Sequence, residues 1–298
     1  MRRIFALGFF DGVHRGHQAL LEACCDLARK QDCIPAVVSF ADHPDTVVFG
    51  KTPALINTIE DRVRLLKHFG IRSVETLPFD QKMMTMPWQD FFRMLLETYQ
   101  AQGIVCGNDF CFGYRGEGTP QKLMEACAAA GIPCRVVPEQ TVHNTRVSST
   151  YIRGLLEEGR MEEAVAFLGH PHLLTGTVIH GQQLGRTLGI PTANLRLPAG
   201  LVVPKFGVYA CMAQVGGRSY PAVTNVGTRP TVEGTGITVE PWILDYQGDL
   251  YGQEISLEFH RFLRPEKKFP DLAALQQEIF RNAEQTREFS ANLKGHRL

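Results

Sequence analysis

The chain has 298 residues, of which 44% are hydrophobic, and its 31 basic and 31 acidic side chains cancel. That length accommodates two cores, and the apolar content excludes a disordered chain. No global positive field points to nucleic acid and no acidic tract to a solvating tail, so any anion site has to be built locally.

In chain order, residues 4 to 10 read as a buried strand, 16 to 30 as a helix and 34 to 40 (IPAVVSF) as a second strand. A helix over 59 to 69, a strand over 71 to 77 and a helix over 87 to 100 follow, then the strand GIVCG, which stops at Asn108 and Asp109. A helix over about 120 to 130 and the strand IPCRVVP continue the alternation, and 148 to 168 reads as one helix capped by SST. Strands separated by helices of this length imply a parallel sheet with helices on both faces, whose ligands bind beyond the carboxyl ends of the strands. His14, His43 and the Asn108–Asp109 pair each follow directly on a strand, so they are expected at one sheet edge.

From about residue 173 the pattern changes to short apolar runs between glycines and prolines: LTGTVIHG, GVYACMAQV, RSYPAVTNVG, GITVEPWILDY and EISLEFHRFLR. Such runs argue for an antiparallel barrel or sandwich. A last helix over roughly 271 to 290 presents Leu272, Leu275, Ile279 and Phe289, expected to cover one side of that barrel. The domains are therefore expected at 1–172 and 173–298, an α/β Rossmann-like domain followed by an antiparallel β-barrel. Seven of the eight cysteines precede residue 135 in apolar surroundings, without the paired spacing of a zinc site and with no leader before the first strand. Reduced thiols in a cytoplasmic protein are the direct reading, with a metal or redox role as the alternative. No apolar run approaches the roughly 20 residues needed to span a bilayer.

Two clusters carry chemistry. In GFFDGVHRGHQALL the glycines allow close backbone approach, and the helix start near Gly16 offers free N–H groups to a phosphate that would also meet His14 and His17. The pair could instead be exposed polar residues or two ligands of a metal, although the nearby acids complete no recognised metal set. In GTVIHGQQLGRTLGIPTANL, Gly181, Gly185 and Gly189 would let a loop fold over phosphate while Pro191 stiffens the approach to Thr192 and Asn194. In a strand that hydroxyl and that amide would point the same way, as a shared hard cation needs; a strand-edge turn is the plain alternative. Glu240 is an acid in the apolar stretch ITVEPWIL. It either works as a base or faces water while Val239 and Trp242 face inward.

GFFDGVHRGHQALL resembles the His-x-Gly-His signature of the adenylyltransferase superfamily, in the form found in bacterial bifunctional riboflavin kinase/FAD synthetases. SFADHPDTVV, VCGNDFCFG and VSSTYIRGLLEEG resemble that family's further first-domain motifs in order, and the second cluster with GVYA, NVGTRPT and VEPWILDYQGDLYG resembles its riboflavin kinase domain. The resemblance implies adenylylation of FMN to FAD, with His14, His17 and Arg153 stabilising the transfer and Gly8, Phe10, Asp11, Gly12, His43, Asn108, Asp109, Ser148, Ser149 and Thr150 contacting nucleotide or flavin. For Ser148, Ser149 and Thr150 a helix cap is a compatible simpler role. It further implies phosphorylation of riboflavin to FMN, with Glu240 as base, Thr192 and Asn194 on Mg2+ and the ATP phosphates, and Gly181, Gly185, Arg186, Gly189, Asn225 and Arg229 shaping the nucleotide or flavin loops. ATP and Mg2+ are the implied requirements of both reactions, with riboflavin, FMN and FAD as substrates or products.

Departures from the family pattern fall at Asp42, where proline is usual, at Gly116, where a basic residue is common beside Arg115, at His170 and His172, in place of arginine and tyrosine, and at Gln182. They bear on the first activity more than on the kinase. The implied partners are small molecules, with no nucleic acid and no membrane, and the chain is expected as a monomer or transient homo-oligomer. Two other readings stay open: a different nucleotidyltransferase fused to a substrate-binding β-domain, and a flavin-binding regulatory protein without turnover.

Overall fold

A computed structural model describes residues 2–181, 189–231 and 234–293. They form two compact units, Met1–Leu55 with Arg62–Ser149, and Ile56–Asp61 with Thr150–Leu298. The first is built on a five-stranded parallel sheet in the order β3-β2-β1-β4-β5. Its strands are β1 (Arg3–Leu7), β2 (Ile34–Phe40), β3 (Ser73–Leu77), β4 (Ala101–Gly107) and β5 (Cys134–Val137). Ile4 to Leu7, Ala36 to Val38 and Ile104 to Cys106 are consecutive buried residues, the continuous apolar run of strands covered on both faces.

The long helices stand where the periodicity places them: α1 (Arg15–Lys30), α3 (Ile59–His68), α5 (Trp88–Glu97) and α6 (Pro120–Ala129). Two short helices, α2 (Pro44–Phe49) and α4 (Gln81–Met84), and the hairpin of β6 (Thr141–Val142) and β7 (Thr145–Arg146) have too few residues to leave a period. The first strand ends at Leu7 and not at residue 10, because Phe10 takes φ 60° and Gly12 φ 82° and the chain turns there. The single helix expected over 148 to 168 is two, α7 (Ser149–Glu158) and α8 (Met161–Leu168). Gly159 breaks it with φ 78°, a conformation that costs glycine nothing.

The second unit is a closed antiparallel barrel, order β10-β11-β12-β9-β8-β13. The strands are β8 (His172–Ile179), β9 (Asn194–Arg196), β10 (Gly207–Val215), β11 (Arg218–Thr231), β12 (Gly234–Ile243) and β13 (Glu254–Arg264). A final helix α9 (Leu272–Asn292) starts at Asp271, whose carboxylate accepts the Ala274 N–H at 2.8 Å. Leu272 stays exposed; Ala283 and Thr286 are the fully buried positions, and Leu275 and Ile279 line a cavity with barrel residues. No described helix is long and apolar enough to cross a membrane.

Candidate functional site

In the first unit the residues after β1 form a tight turn that delivers two imidazoles to the start of α1. Phe10, Gly12 and Val13 all have positive φ, and Gln18 Nε2 donates to the Val13 carbonyl at 2.9 Å. His14 caps α1: its Nδ1 accepts the His17 N–H at 3.3 Å. A neutral His14 accepting there carries its proton on Nε2. The two rings stack 3.6 Å apart at 10°, and the Phe10 ring lies tilted against that of His17 at 5.1 Å. A Cβ on Gly16 would come within 3.1 Å of the His14 ring, and one on Gly8 within 3.1 Å of the Phe10 ring. Burial, then the neighbouring His14 and Arg62, hold His17 well below the usual histidine range, and its Nδ1 is buried without a partner among the described residues. The result is a stacked imidazole pair at a helix N-terminus, in which the buried His17 is held uncharged.

Around this turn the other predicted residues divide. Ser149 Oγ donates to the Asp11 carbonyl at 2.9 Å, tying the Ser148–Ser149 segment to the histidine turn. Thr150 and Arg153 lie further along α7, in the part of the chain that belongs to the second unit. His43 caps α2 by accepting the Asp45 N–H at 3.2 Å, and its ring meets Phe9 edge-on at 4.6 Å. Asn108 and Asp109 are exposed just beyond β4, with Asp109 paired to Arg146 at 2.5 Å. Of the departures, Gly116 has φ 69°, where a basic residue would be strained.

Beside the turn lies a cavity of about 660 Å³ walled by Phe9, Phe40, Phe79, Phe110, Phe112 and Tyr114, with Met83, Met84 and Met86. Its size and aromatic lining suit a flat heteroaromatic ring. The sequence reading missed Phe79 and the three methionines, since apolar residues between strands read as core. It also missed Arg62, which is 2% exposed. The signal was present: Arg62 shares a helical face with buried Leu65 and Leu66 at spacings of three and four.

In the second unit Thr192, Asn225 and Glu240 come together in one cavity of about 400 Å³. Asn225 and Glu240 are direct cross-strand partners on β11 and β12. Val239 is buried, whereas Glu240 and Trp242 line this cavity together, so the acid and the tryptophan share a side. Thr192 also lines a second cavity of about 480 Å³, with Pro191, Ala193 and the segment Tyr246 to Tyr251. Asn194 opens β9, and its carboxamide occupies the space a Cβ on Gly181 would take. That glycine therefore leaves room for the amide. Gly189 takes φ 70° just ahead of Thr192. Arg229 pairs through its backbone with Gly236. Gly185, Arg186 and Gln182 lie outside the described residues, as does the side chain of Arg229.

No group of three or more His, Cys, Asp or Glu residues that could hold a metal exists among the described residues. All eight cysteines are free thiols. A hydroxyl and a carboxamide are hard oxygen donors of the kind Mg2+ accepts alongside water and phosphate, so Thr192 and Asn194 fit that ion by donor type.

The family profile described as FAD synthetase matches residues 1–151, and that described as riboflavin kinase matches residues 168–290. A Bifunctional riboflavin kinase/FMN adenylyltransferase of Listeria monocytogenes is 33% identical over 99% of this chain and 94% of its own. One of the same description from Escherichia coli K12 is 34% identical over 96% and 92%. A crystal structure from Streptococcus pneumoniae, described as a macrolide-efflux protein, superposes with a TM-score of 0.87 at 30% identity, covering 96% of this chain and 94% of that one. With both halves matched and full-length relatives above 30% identity, the chain belongs to the family of bifunctional riboflavin kinase/FMN adenylyltransferases.

Proposed function

We propose that the two reactions of this bifunctional enzyme are divided along the chain, with residues 1–172 adenylylating FMN and residues 173–298 phosphorylating riboflavin. The observation that carries this reading is that each compact unit holds its own polar constellation beside its own cavity. In the first, the FMN phosphate oxygen attacks the α-phosphorus of ATP and pyrophosphate leaves. His14 and His17 at the start of α1 donate to the phosphate oxygens as charge builds, and the aromatic cavity takes the flavin ring. Asp11, Gly12, Ser148 and Ser149 shape the phosphate turn. Gly8, Phe10, His43, Asn108 and Asp109 border nucleotide and flavin, and Thr150 and Arg153 serve the same transfer.

In the second unit, the ribityl 5′-hydroxyl of riboflavin attacks the γ-phosphorus, Glu240 takes its proton and ADP leaves. Thr192 supports this assignment, because it lines both the cavity that contains Glu240 and the neighbouring one. Riboflavin would occupy the first and ATP the second, with phosphate passing beside the threonine. Thr192 and Asn194 would hold Mg2+, which supplies charge neutralisation on the phosphate oxygens when bound. Gly181, Gly185, Arg186, Gly189, Asn225 and Arg229 frame the nucleotide and flavin loops.

We further place the enzyme in the cytoplasm, a reading supported by eight unpaired thiols, as a monomer or transient homo-oligomer without nucleic-acid partners. Purified protein incubated with riboflavin, ATP and Mg2+, with flavins resolved by chromatography over time, should show FMN rising first and FAD following. FMN without FAD would remove the first assignment, and no FMN would remove the second.

A further inference from the structure

Arg62 is an arginine with a buried head group in the first unit, and three acceptors converge on one of its nitrogens. Nη1 donates to the Phe9 carbonyl at 2.9 Å, to the Phe40 carbonyl at 3.1 Å and to Ser39 Oγ at 3.3 Å. Ser39 Oγ in turn donates to the same Phe9 carbonyl at 2.9 Å. The guanidinium carbon also sits 4.2 Å from the centre of the Phe9 ring, in cation–π range. These acceptors are not scattered. Phe40 ends β2, and Phe9 begins the turn after β1, so a single guanidinium ties together the carboxyl ends of two adjacent parallel strands.

That tie is placed where backbone strain is stored. Immediately after Phe9 come Phe10 at φ 60°, Gly12 at φ 82° and Val13 at φ 39°, followed by His14. Positive φ is strained at a non-glycine residue, and such a turn persists only if its surroundings over-determine it. Phe9 and Phe40 also wall the aromatic cavity. One buried cation therefore sets both the register of the histidine turn and the wall against which a flavin ring would lie.

We infer that Arg62 is a positioning residue for adenylyl transfer, holding the Phe9–Val13 turn so that His14 and His17 meet the reacting phosphate in line. It touches neither substrate nor phosphate in this role. The inference rests on the reading of the first unit as the adenylyltransferase, and it adds a residue that no signature motif contains. Its nearness to His17, acting after burial and His14, also helps keep that imidazole uncharged before ATP binds.

The test uses the full-length enzyme with Arg62→Met and Arg62→Lys, measuring FMN adenylylation and riboflavin phosphorylation separately. A misplacement of about 1 Å costs on the order of 100-fold in rate. Arg62→Met should therefore lower kcat for FAD formation about 100-fold, with KM for ATP and FMN within about threefold and riboflavin phosphorylation unchanged. Arg62→Lys, which keeps the cation but cannot reproduce the planar fork, should recover about tenfold of that loss. If Arg62→Met unfolds the first unit, Arg62→Lys alone decides: a kcat loss at constant KM supports the inference, and wild-type kcat overturns it. Full adenylylation by Arg62→Met, or a rise in KM with kcat kept, overturns it as well. Failure of the wild-type enzyme to make any FAD overturns the underlying reading, and the inference with it. FAD made equally by wild type and both variants overturns the inference alone.

Discussion

Replacing His172 by methionine should flatten the acid side of the barrel's stability profile. His172 opens β8, is fully buried, and neither ring nitrogen finds a hydrogen bond among the described residues. Burial, helped by His170, depresses its pKa from the ordinary 6.5 to about 3. The sign follows from proton binding. Below pH 6.5 the unfolded chain protonates this imidazole while the folded barrel does not, so stability is lost as pH falls from 6.5 toward 3. Integrating the two titrations between pH 7 and pH 5 gives a loss of about 2 kcal/mol from this one group.

Methionine keeps the volume roughly constant and adapts to irregular gaps, and any packing change it brings is the same at both pH values. The assay is equilibrium urea unfolding at pH 7 and pH 5. Trp242 on β12 reports on the barrel if the other of the two tryptophans, Trp88 on α5, is replaced by phenylalanine. The stability difference between the two pH values should be smaller by about 2 kcal/mol in the His172→Met protein. Equal differences in the two proteins would refute the claim that a neutral, unpaired imidazole is locked in the barrel.

Three further outcomes follow from the same geometry. Thr192→Ala should reduce riboflavin phosphorylation about 100-fold, the size expected for one lost transition-state contact, while FMN adenylylation measured with supplied FMN stays within about twofold. Gly181→Ala should push the Asn194 carboxamide aside and raise the Mg2+ concentration needed for half-maximal kinase activity about tenfold, read from a metal titration. With a thiol reagent, native protein should label exposed Cys111 first and spare buried Cys24, Cys106, Cys127 and Cys211 until denaturant is added; Cys24, pushed up to about 12 by burial, carries almost no thiolate.

Much of the fold was legible because long elements carry a period. The five strands of the parallel sheet and the long helices between them are encoded by runs of apolar residues and by amphipathic stripes, and the change at about 173 marks the barrel. Elements of two to six residues, such as α2, α4 and the β6–β7 hairpin, are fixed by tertiary packing and leave no comparable trace. Gly159 could be read either as a helix residue or as a stop, and its positive φ decides for the stop. The sites divide in the same way. His14, His17, Thr192 and Glu240 stand out as polar residues in glycine-rich or apolar surroundings. Arg62 hides inside an ordinary charged helix, EDRVRLLKH, where only its alignment with Leu65 and Leu66 betrays a buried head group. The aromatic cavity is assembled from five separate stretches, and its apolar side chains are individually indistinguishable from core.

The division of labour between the units is tested most directly by two single substitutions in the full-length enzyme, His17→Ala and Glu240→Gln, each assayed with riboflavin and, separately, with FMN. The account predicts that His17→Ala makes FMN from riboflavin but no FAD from either substrate, and that Glu240→Gln makes FAD from supplied FMN but no FMN from riboflavin. Loss of both reactions in either folded variant, or FAD formation surviving His17→Ala, would contradict it.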